Sequence, residues 1–393
     1  MIYLDNAAST VVHPEVVKEM IPYFDTQYGN PSSIHQFGRK AKNAIQKARK
    51  QVAALIGAEP DEILFTSGGT ESNNIILYGI SNIPLRTRST KKDRNHIITS
   101  SIEHEAILQP CKNLEEIGCK ITYLPVDESG MVDLPDVANS LTEDTIIVSI
   151  MFANNEVGTI QPIKEISELC KKYDVLFHTD AVQAVGKVPI NVKELGVDAL
   201  SVSSHKINGP KGVGALFIKK GFTVAAHIVG GGQENGMRSG TENVASIVGF
   251  GKACEIAKER LVENSSHSKK LHSLMLEKIT KEISHVKLNG HPEERIFNNL
   301  HLTFVGVNGE DLIIKLDEHG IAASTGSACS VHTQKASHVL KAMGFNHEQI
   351  TGSLRISFGY MNTLDEVKQA VEVLKKVVAE LRSVSPYKTK YNF

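Results

Sequence analysis

Apolar positions fall first at helical spacing and then in short runs. Residues 1–13 read as an extended lead-in. Pro14 suits the first position of a helix, in which Val16, Val17, Met20 and Ile21 recur at helical spacing. Gly29-Asn30-Pro31-Ser32-Ser33 is a turn cluster. The next pattern predicts a helix from about Gln36, with Ala41, Ala44-Ile45, Ala48, Val52 and Leu55 on one face and Gly57 as its stop.

From Ile63 the rhythm changes. Runs at Ile63–Phe65, Ile97-Ile98, Ile121–Leu124, Ile146–Ile150, Val175–Phe177 and Ala199–Val202 predict strands. Helical patterns such as Asn73–Ile80, Ile107–Ile117 and Ile163–Cys170 lie between most of them, and Pro110 makes the Ile107 segment start or kink there. Strands alternating with helices predict an α/β fold, a mostly parallel sheet sandwiched by helices. From Glu242 long helices take over, reaching about Ile283, as in a helix that bridges domains. The remainder holds strand candidates Leu300–Val305 and Leu354–Phe358. The last helix opens on a capping box, Thr363 with Glu366 three residues on, and its stripe of Leu364, Val367, Val371, Leu374 and Val378 faces a core. The tail Ser385–Phe393 is expected to fray.

At 393 residues the chain exceeds the roughly 250–300 that one core serves. We expect a large domain at 14–259 and a smaller α+β domain at 260–393, completed by residues 1–13. A formal net charge of −1, from 43 basic and 44 acidic side chains, implies neither a nucleic-acid nor a membrane partner. The start lacks the order of a signal peptide. Five cysteines (Cys111, Cys119, Cys170, Cys254, Cys329) without CxxC spacing argue against disulfides or a zinc site. The expected location is cytoplasmic. The basic stretch 84–95 reads as a solvated loop.

In open α/β sheets, ligands bind just outside the carboxyl ends of strands. The run ending at Phe177 leads into Asp180, and the run ending at Val202 leads into Ser203-Ser204-His205-Lys206. An Asp and a Lys so placed suggest pyridoxal 5′-phosphate (PLP), which needs a lysine anchor and an acid for its ring nitrogen. An isolated Asp and Lys are more often surface charges, so further groups must decide. Phe65-Thr66-Ser67-Gly68-Gly69-Thr70 is strand, glycine turn and helix start, an anion site in which Gly69 permits close approach and Thr70 adds a hydroxyl. Ser203 and His205 could converge on the same phosphate. Gln183 follows Asp180 on the same side of a turn. His104 and Asn154-Asn155-Glu156 follow other strands.

Ser324-Thr325-Gly326-Ser327-Ala328-Cys329-Ser330 is small and polar, a thiol-bearing segment poor in packing side chains. A lone loop cysteine is commonly inert, although some thiolate exists at neutral pH. Arg355, on a probable strand, can grip a carboxylate in a bidentate fork. Residues 230–241 hold five glycines among twelve residues, with Arg238 and Thr241 as the chemically active candidates.

Ten stretches together resemble a cysteine desulfurase of the NifS/IscS type, a PLP enzyme of the class V aminotransferase group. They are YLDNAAST (3–10), GNPSSIH (29–35), FTSGGTESNN (65–74), EH (103–104), NNEVGT (154–159), HTDAVQ (178–183), SVSSHKINGPKGVG (201–214), MRSGTEN (237–243), STGSACS (324–330) and LRISFG (354–359). The resemblance implies a PLP aminotransferase-like large domain, Lys206 as the Schiff-base lysine and Cys329 as the persulfide-forming nucleophile. It gives His104 stacking and proton transfer, Asp180 the ring nitrogen, and Gln183 and Asn155 the ring hydroxyl and substrate region. Thr70, Ser203 and His205 would bind phosphate, with Thr241 from the other subunit of a homodimer. Arg355 would bind the carboxylate of L-cysteine. The sulfur acceptor would be an iron–sulfur scaffold or a tRNA-thiolation enzyme.

Three departures from the usual pattern stand out. Val331–Ala336 lacks the small residues and Glu-Pro common after the nucleophile, Asn235 replaces a frequent basic residue, and Tyr360-Met361 stands where an arginine is common. The rival readings are a selenocysteine lyase or other PLP-dependent β-lyase, and a non-catalytic scaffold for sulfur-transfer partners.

Overall fold

The six expected strands form, and a seventh joins them in one sheet. A computed structural model describes residues 1–81, 94–222, 224–325, 336–391 and 393. Its strands are β1 (Ile2–Tyr3), β2 (Ile63–Thr66), β3 (His96–Ser100), β4 (Lys120–Leu124), β5 (Thr145–Ser149), β6 (Leu176–Asp180), β7 (Ala199–Ser203), β8 (Gly214–Ile218), β9 (Val286–Leu288), β10 (Asn299–Phe304), β11 (Ile321–Ala322) and β12 (Ser353–Ser357). The large sheet has the order β2-β8-β7-β6-β5-β3-β4. β7, β6, β5, β3 and β4 are mutually parallel, and β8 runs antiparallel between β7 and β2. β8 is the unexpected strand. Its apolar run is short and opens on Gly214, where a side chain would collide with Gly68.

Alternating side chains feed two cores, one on each face of the sheet. In β8, Ala215 and Phe217 enter one core while Leu216 and Ile218 enter the other. The first core takes Ile45, Ala48 and Val52 of the helix Gln36–Ile56 and Phe250 of the helix Val244–Glu259. The second takes Ile75 and Ile76 of Gly69–Ser81 and Ile107 and Leu114 of Glu105–Glu116. Gly57 ends the first helix in the left-handed conformation, φ 72°, the stop the sequence predicts.

A further core joins the two ends of the chain. Ile2 and Leu4 pack with Met275, Leu302, Ile356 and Val371. β1 pairs in parallel with β11, and β12, β10 and β9 form an antiparallel sheet. Instead of one bridging helix to about Ile283, Val244–Glu259 and Leu261–Glu282 are separate helices that break at Arg260. The first contributes to a core of the large sheet, the second to the core of the chain ends. Periodicity alone could not reveal the break, because both sides of it are helical.

The capping box forms as expected, with Thr363 N–H donating to Glu366 at 2.9 Å and Glu366 N–H donating to Thr363 Oγ1 at 3.1 Å. The tail, by contrast, is docked. The Tyr391 hydroxyl and Lys390 Nζ donate to Glu348 at 3.1 and 3.0 Å, and the Arg382 guanidinium lies 4.4 Å from the Phe393 ring centre. Those partners lie outside the tail, so its own polarity gave no warning of them.

Candidate active site

A cleft of about 530 Å³ opens at the carboxyl ends of the parallel strands. It is lined by Gly69, Thr70, His104, Asn155, Asp180, Gln183, Ser203, His205, Lys206 and Arg355, so ten of the residues singled out in the sequence share one cavity. Cys329 and the segment 326–335 lie outside the described residues, as does most of the basic stretch 84–95. Thr241 is exposed and does not line the cleft.

Asp180 closes β6, buried, with both carboxylate oxygens engaged. Asn73 Nδ2 donates to Oδ2 at 2.7 Å and the Val182 N–H donates to Oδ1 at 3.0 Å. Asn73 comes from the helix Gly69–Ser81, so that helix both orients the acid and brings its own amino end to the cleft. The N–H groups of Gly69 and Thr70 have no partner among the described residues, as the first turn of a helix leaves them. A Cβ on Gly69 would stand 2.7 Å from Val182 Cγ2 and 3.7 Å from Ser203 Cβ. Glycine is therefore the residue that keeps this cradle open.

Lys206 ends the 3₁₀ turn that follows β7. Its Nζ donates to the Ala7 and Ala8 carbonyls at 2.6 and 2.8 Å. The N-terminal lead-in is thus part of the site, held there by Thr10, whose N–H and hydroxyl both donate to the His205 carbonyl. His205 Nδ1 pairs with Ser9 Oγ at 3.2 Å, and burial followed by repulsion from Lys206 takes its imidazole down to about 4. It is a neutral partner at physiological pH.

His104 caps the helix Glu105–Glu116, with Nδ1 accepting from the Ala106 N–H at 3.1 Å. That bond places the proton of the neutral ring on Nε2. Burial lowers its basicity, and the Asp180 charge opposes that while Lys206 reinforces it. Pro110 is accommodated inside this helix.

Arg355 reaches the cleft from β12. Nη2 pairs with Asp5 at 2.9 Å and Nη1 donates to the Asn155 carbonyl at 3.0 Å. Asn155 sits in a turn built by its neighbour, for Asn154 Oδ1 accepts from the N–H groups of Glu156 and Val157. The buried Arg295 guanidinium holds the far side of that turn, donating to the carbonyls of Val157 and Asn299, both at 3.0 Å.

The glycine-rich segment 230–241 is pinned by charge. Arg238 pairs with Glu71 at 2.9 Å, and Glu234 accepts from Arg49 at 2.6 Å and from the Phe65 N–H at 2.9 Å. Arg238 is therefore a tie to the glycine turn rather than a group of the cleft. Asn235 lies in the left-handed region, φ 56° and ψ 30°, which Asn tolerates better than long basic residues do. Tyr360, at another departure, packs its ring 5.5 Å from that of His13.

Several functional candidates escaped sequence reasoning. Asp5 and Asn73 lie inside quoted stretches and Ser337 follows the Val331–Ala336 departure, but their partners are remote; Glu156, named with Asn154-Asn155, gains its partner only from Ser337. Ser337 Oγ donates to Glu156 Oε2 at 2.5 Å. His338 lines the cleft and its Nε2–H donates to the Glu103 carbonyl at 2.9 Å. Glu103 is fully buried, and burial pushes its carboxyl up to about 8.

The donor set fits PLP. One acid, one amine, the free N–H groups of a helix and a hydroxyl match the ring nitrogen, the aldehyde and the phosphate of that cofactor.

An α/β sheet with such a cradle at its strand ends defines the class. The chain belongs to the aminotransferase class-V family, a PLP-dependent family whose model matches residues 2–370. It is 50% identical over 385 residues to "Cysteine desulfurase IscS" of Methanosarcina thermophila, covering 98% of this chain and 94% of that one. It is 48% identical over 390 residues to "Cysteine desulfurase IscS" of Dictyoglomus turgidum, covering 99% and 98%. A solved "NifS-like protein" superposes with a TM-score of 0.89 at 40% identity, covering 96% and 99%.

Proposed function

We propose that the protein is a PLP-dependent cysteine desulfurase that converts L-cysteine to L-alanine and keeps the sulfur as a persulfide on Cys329. The observation that carries this reading is the meeting of Asp180, Lys206, His104 and Arg355 in one cleft, in a chain whose relatives bear the cysteine desulfurase name. That name also favours this reading over a selenocysteine lyase or a scaffold.

When bound, PLP supplies an electron sink for charge developing at the substrate α-carbon. Asp180 keeps the ring nitrogen protonated, and Gly69, Thr70, Ser203 and His205 receive the phosphate. Arg355 holds the substrate carboxylate in its fork, beside Asn155. Lys206 anchors the cofactor and, as a free amine, takes the α-proton. His104 offers Nε2 for stacking and proton exchange. The Cys329 thiolate attacks the substrate sulfur; the new S–S bond forms as the carbon–sulfur bond breaks, its electron pair stays on the carbon, a proton completes the methyl group, and the proton taken by Lys206 returns to the α-carbon to give alanine. Splitting the transfer through an enzyme-bound sulfur is the logic of covalent catalysis.

The sulfur then passes to an acceptor protein, an iron–sulfur scaffold or a tRNA-thiolating enzyme. The reading includes domains at 14–259 and 260–393 with residues 1–13, and a cytoplasmic location. The four described cysteines are unpaired, and no described helix is long and apolar enough to cross a membrane. It also includes a homodimer, in which Thr241 reaches the phosphate of the other subunit. The exposed Phe24, Tyr28, Ile34 and Phe37 give that contact an apolar surface.

Cys329→Ala tests the core of this reading. The variant should keep the visible cofactor band while persulfide formation and alanine production from cysteine fall to background. Selenocysteine turnover independent of Cys329, with cysteine turnover equally unaffected, would favour the lyase instead.

A further inference from the structure

Lys187 lies behind Lys206. Its Nζ donates to Gln183 Oε1 at 2.9 Å, and Gln183 Nε2 donates to the Ala7 carbonyl at 3.0 Å. The same carbonyl accepts from Lys206 at 2.6 Å. One chain of hydrogen bonds therefore joins the two lysines through a residue that lines the cleft. The lysines also share the wall of a second, small cavity of about 70 Å³, on which Asn6, His13 and Asn298 open.

The setting is unfavourable to a cation. Burial, then the charges of Lys206 and Arg355, push the Lys187 ammonium down to about 7. Like charges act reciprocally, each disfavouring the protonated form of the other. An apolar side chain would fold here more easily, and it would lose both the repulsion and the anchor on Gln183.

We propose that Lys187 is a positioning residue for the cofactor lysine, its charge favouring the neutral amine of Lys206 and its hydrogen bond fixing which end of the Gln183 amide accepts and which donates. The inference rests on the reading that Lys206 anchors PLP. The other charged and titratable groups facing this pair are Arg355, His205 with Lys211 beyond it, His104 and Asp180 on the cleft side, and His13 and Arg260 across the small cavity. All of them stay in place when Lys187 alone is changed.

The experiment titrates the visible absorption of the PLP-loaded full-length protein against pH. Lys187→Met removes charge and bond, Lys187→Gln keeps a donor without charge, and Lys187→Arg keeps the charge. The midpoint should rise by about half a unit or more in the Met and Gln variants and stay within about 0.2 of wild type in the Arg variant. Turnover of the first two should fall at neutral pH and recover as pH rises, with KM for cysteine unchanged. A Gln variant that titrates like wild type overturns the proposal. So does an Arg variant that shifts as far as Met, or loss of PLP to the same extent from all three, since charge would then not be what the position supplies. Lys206→Ala, run in parallel, should abolish covalent fixation of PLP by borohydride. If fixation persists, the anchor assignment fails on its own, whatever the Lys187 variants do.

Discussion

Arg355 Nη2 stands 2.9 Å from Asp5 Oδ1, an ion pair between residues 350 apart in sequence with the arginine almost wholly withdrawn from solvent. The pair ties the amino-terminal segment to β12 at the cleft, where on the proposed reading Arg355 would hold the substrate carboxylate. Arg355→Lys keeps the charge and loses the fork. A charged hydrogen bond contributes about 1.5–3 kcal/mol, so KM for cysteine should rise roughly ten- to hundredfold with the cofactor spectrum unchanged. Asp5→Asn should raise KM less, and the double variant should fall short of the summed effects. Strict additivity would show that Asp5 does not act through Arg355.

Asn73 gives Asp180 a 2.7 Å hydrogen bond from inside the protein. On the proposed reading, Asp180→Asn removes the charge that would keep the ring nitrogen protonated and should nearly abolish turnover. Asn73→Ala leaves that charge but frees its direction, and supporting bonds of this kind typically contribute ten- to hundredfold, roughly as around metal ligands. We expect about a tenfold loss in kcat with PLP still bound. Retention of full activity would confine Asn73 to packing.

Glu103 carries a pH signature. Burial outweighs the hydrogen bonds from Ser100 and from the Met151 N–H and holds its carboxyl at about 8, above the ordinary 4.5. Between those values the folded protein keeps a proton that the unfolded chain releases. The stability contributed is full below about 4.5 and is lost as pH rises toward 8. Both hydrogen bonds go to Oε1, and the amide oxygen of Glu103→Gln can accept both. The variant should therefore match wild type near pH 5 and exceed it in Tm near pH 8. Parallel Tm curves would mean that Glu103 does not titrate in this range.

Much of the site was legible because its parallel strands end abruptly. Asp180, Lys206 and His104 each follow an apolar run, and the topology that gathers such ends follows from alternating strands and helices. What stayed hidden depends on burial by remote segments. Lys187, a lone charge in the apolar turn Ala184-Val185-Gly186-Lys187-Val188, gains its surroundings only once Ala7 and the helix Val244–Glu259 close over that turn. Asp5 was visible inside a quoted stretch, yet its role exists only once β12 brings Arg355 beside it. The docked tail and the break at Arg260 are tertiary outcomes of the same sort, set by Glu348 and Arg382 in one case and by two separate cores in the other.

Ser337 performs two tasks. Its hydroxyl donates to Glu156 at 2.5 Å and accepts from the Leu340 N–H at 3.1 Å, capping the helix His338–Ala342. Burial raises the Glu156 carboxyl, and Ser337, His338 and Arg355 work against that. Ser337→Ala removes a cap, about 1 kcal/mol, and leaves a buried carboxylate short of a donor, about 1–3 kcal/mol. The loss should grow as pH rises, because the folded state of the variant holds the Glu156 proton more tightly than wild type does. Adding Glu156→Gln should recover the second part but not the first. Urea denaturation of the wild type and the two variants at two pH values separates them. Equal losses at both pH values, with no recovery in the double variant, would reduce Ser337 to a helix cap.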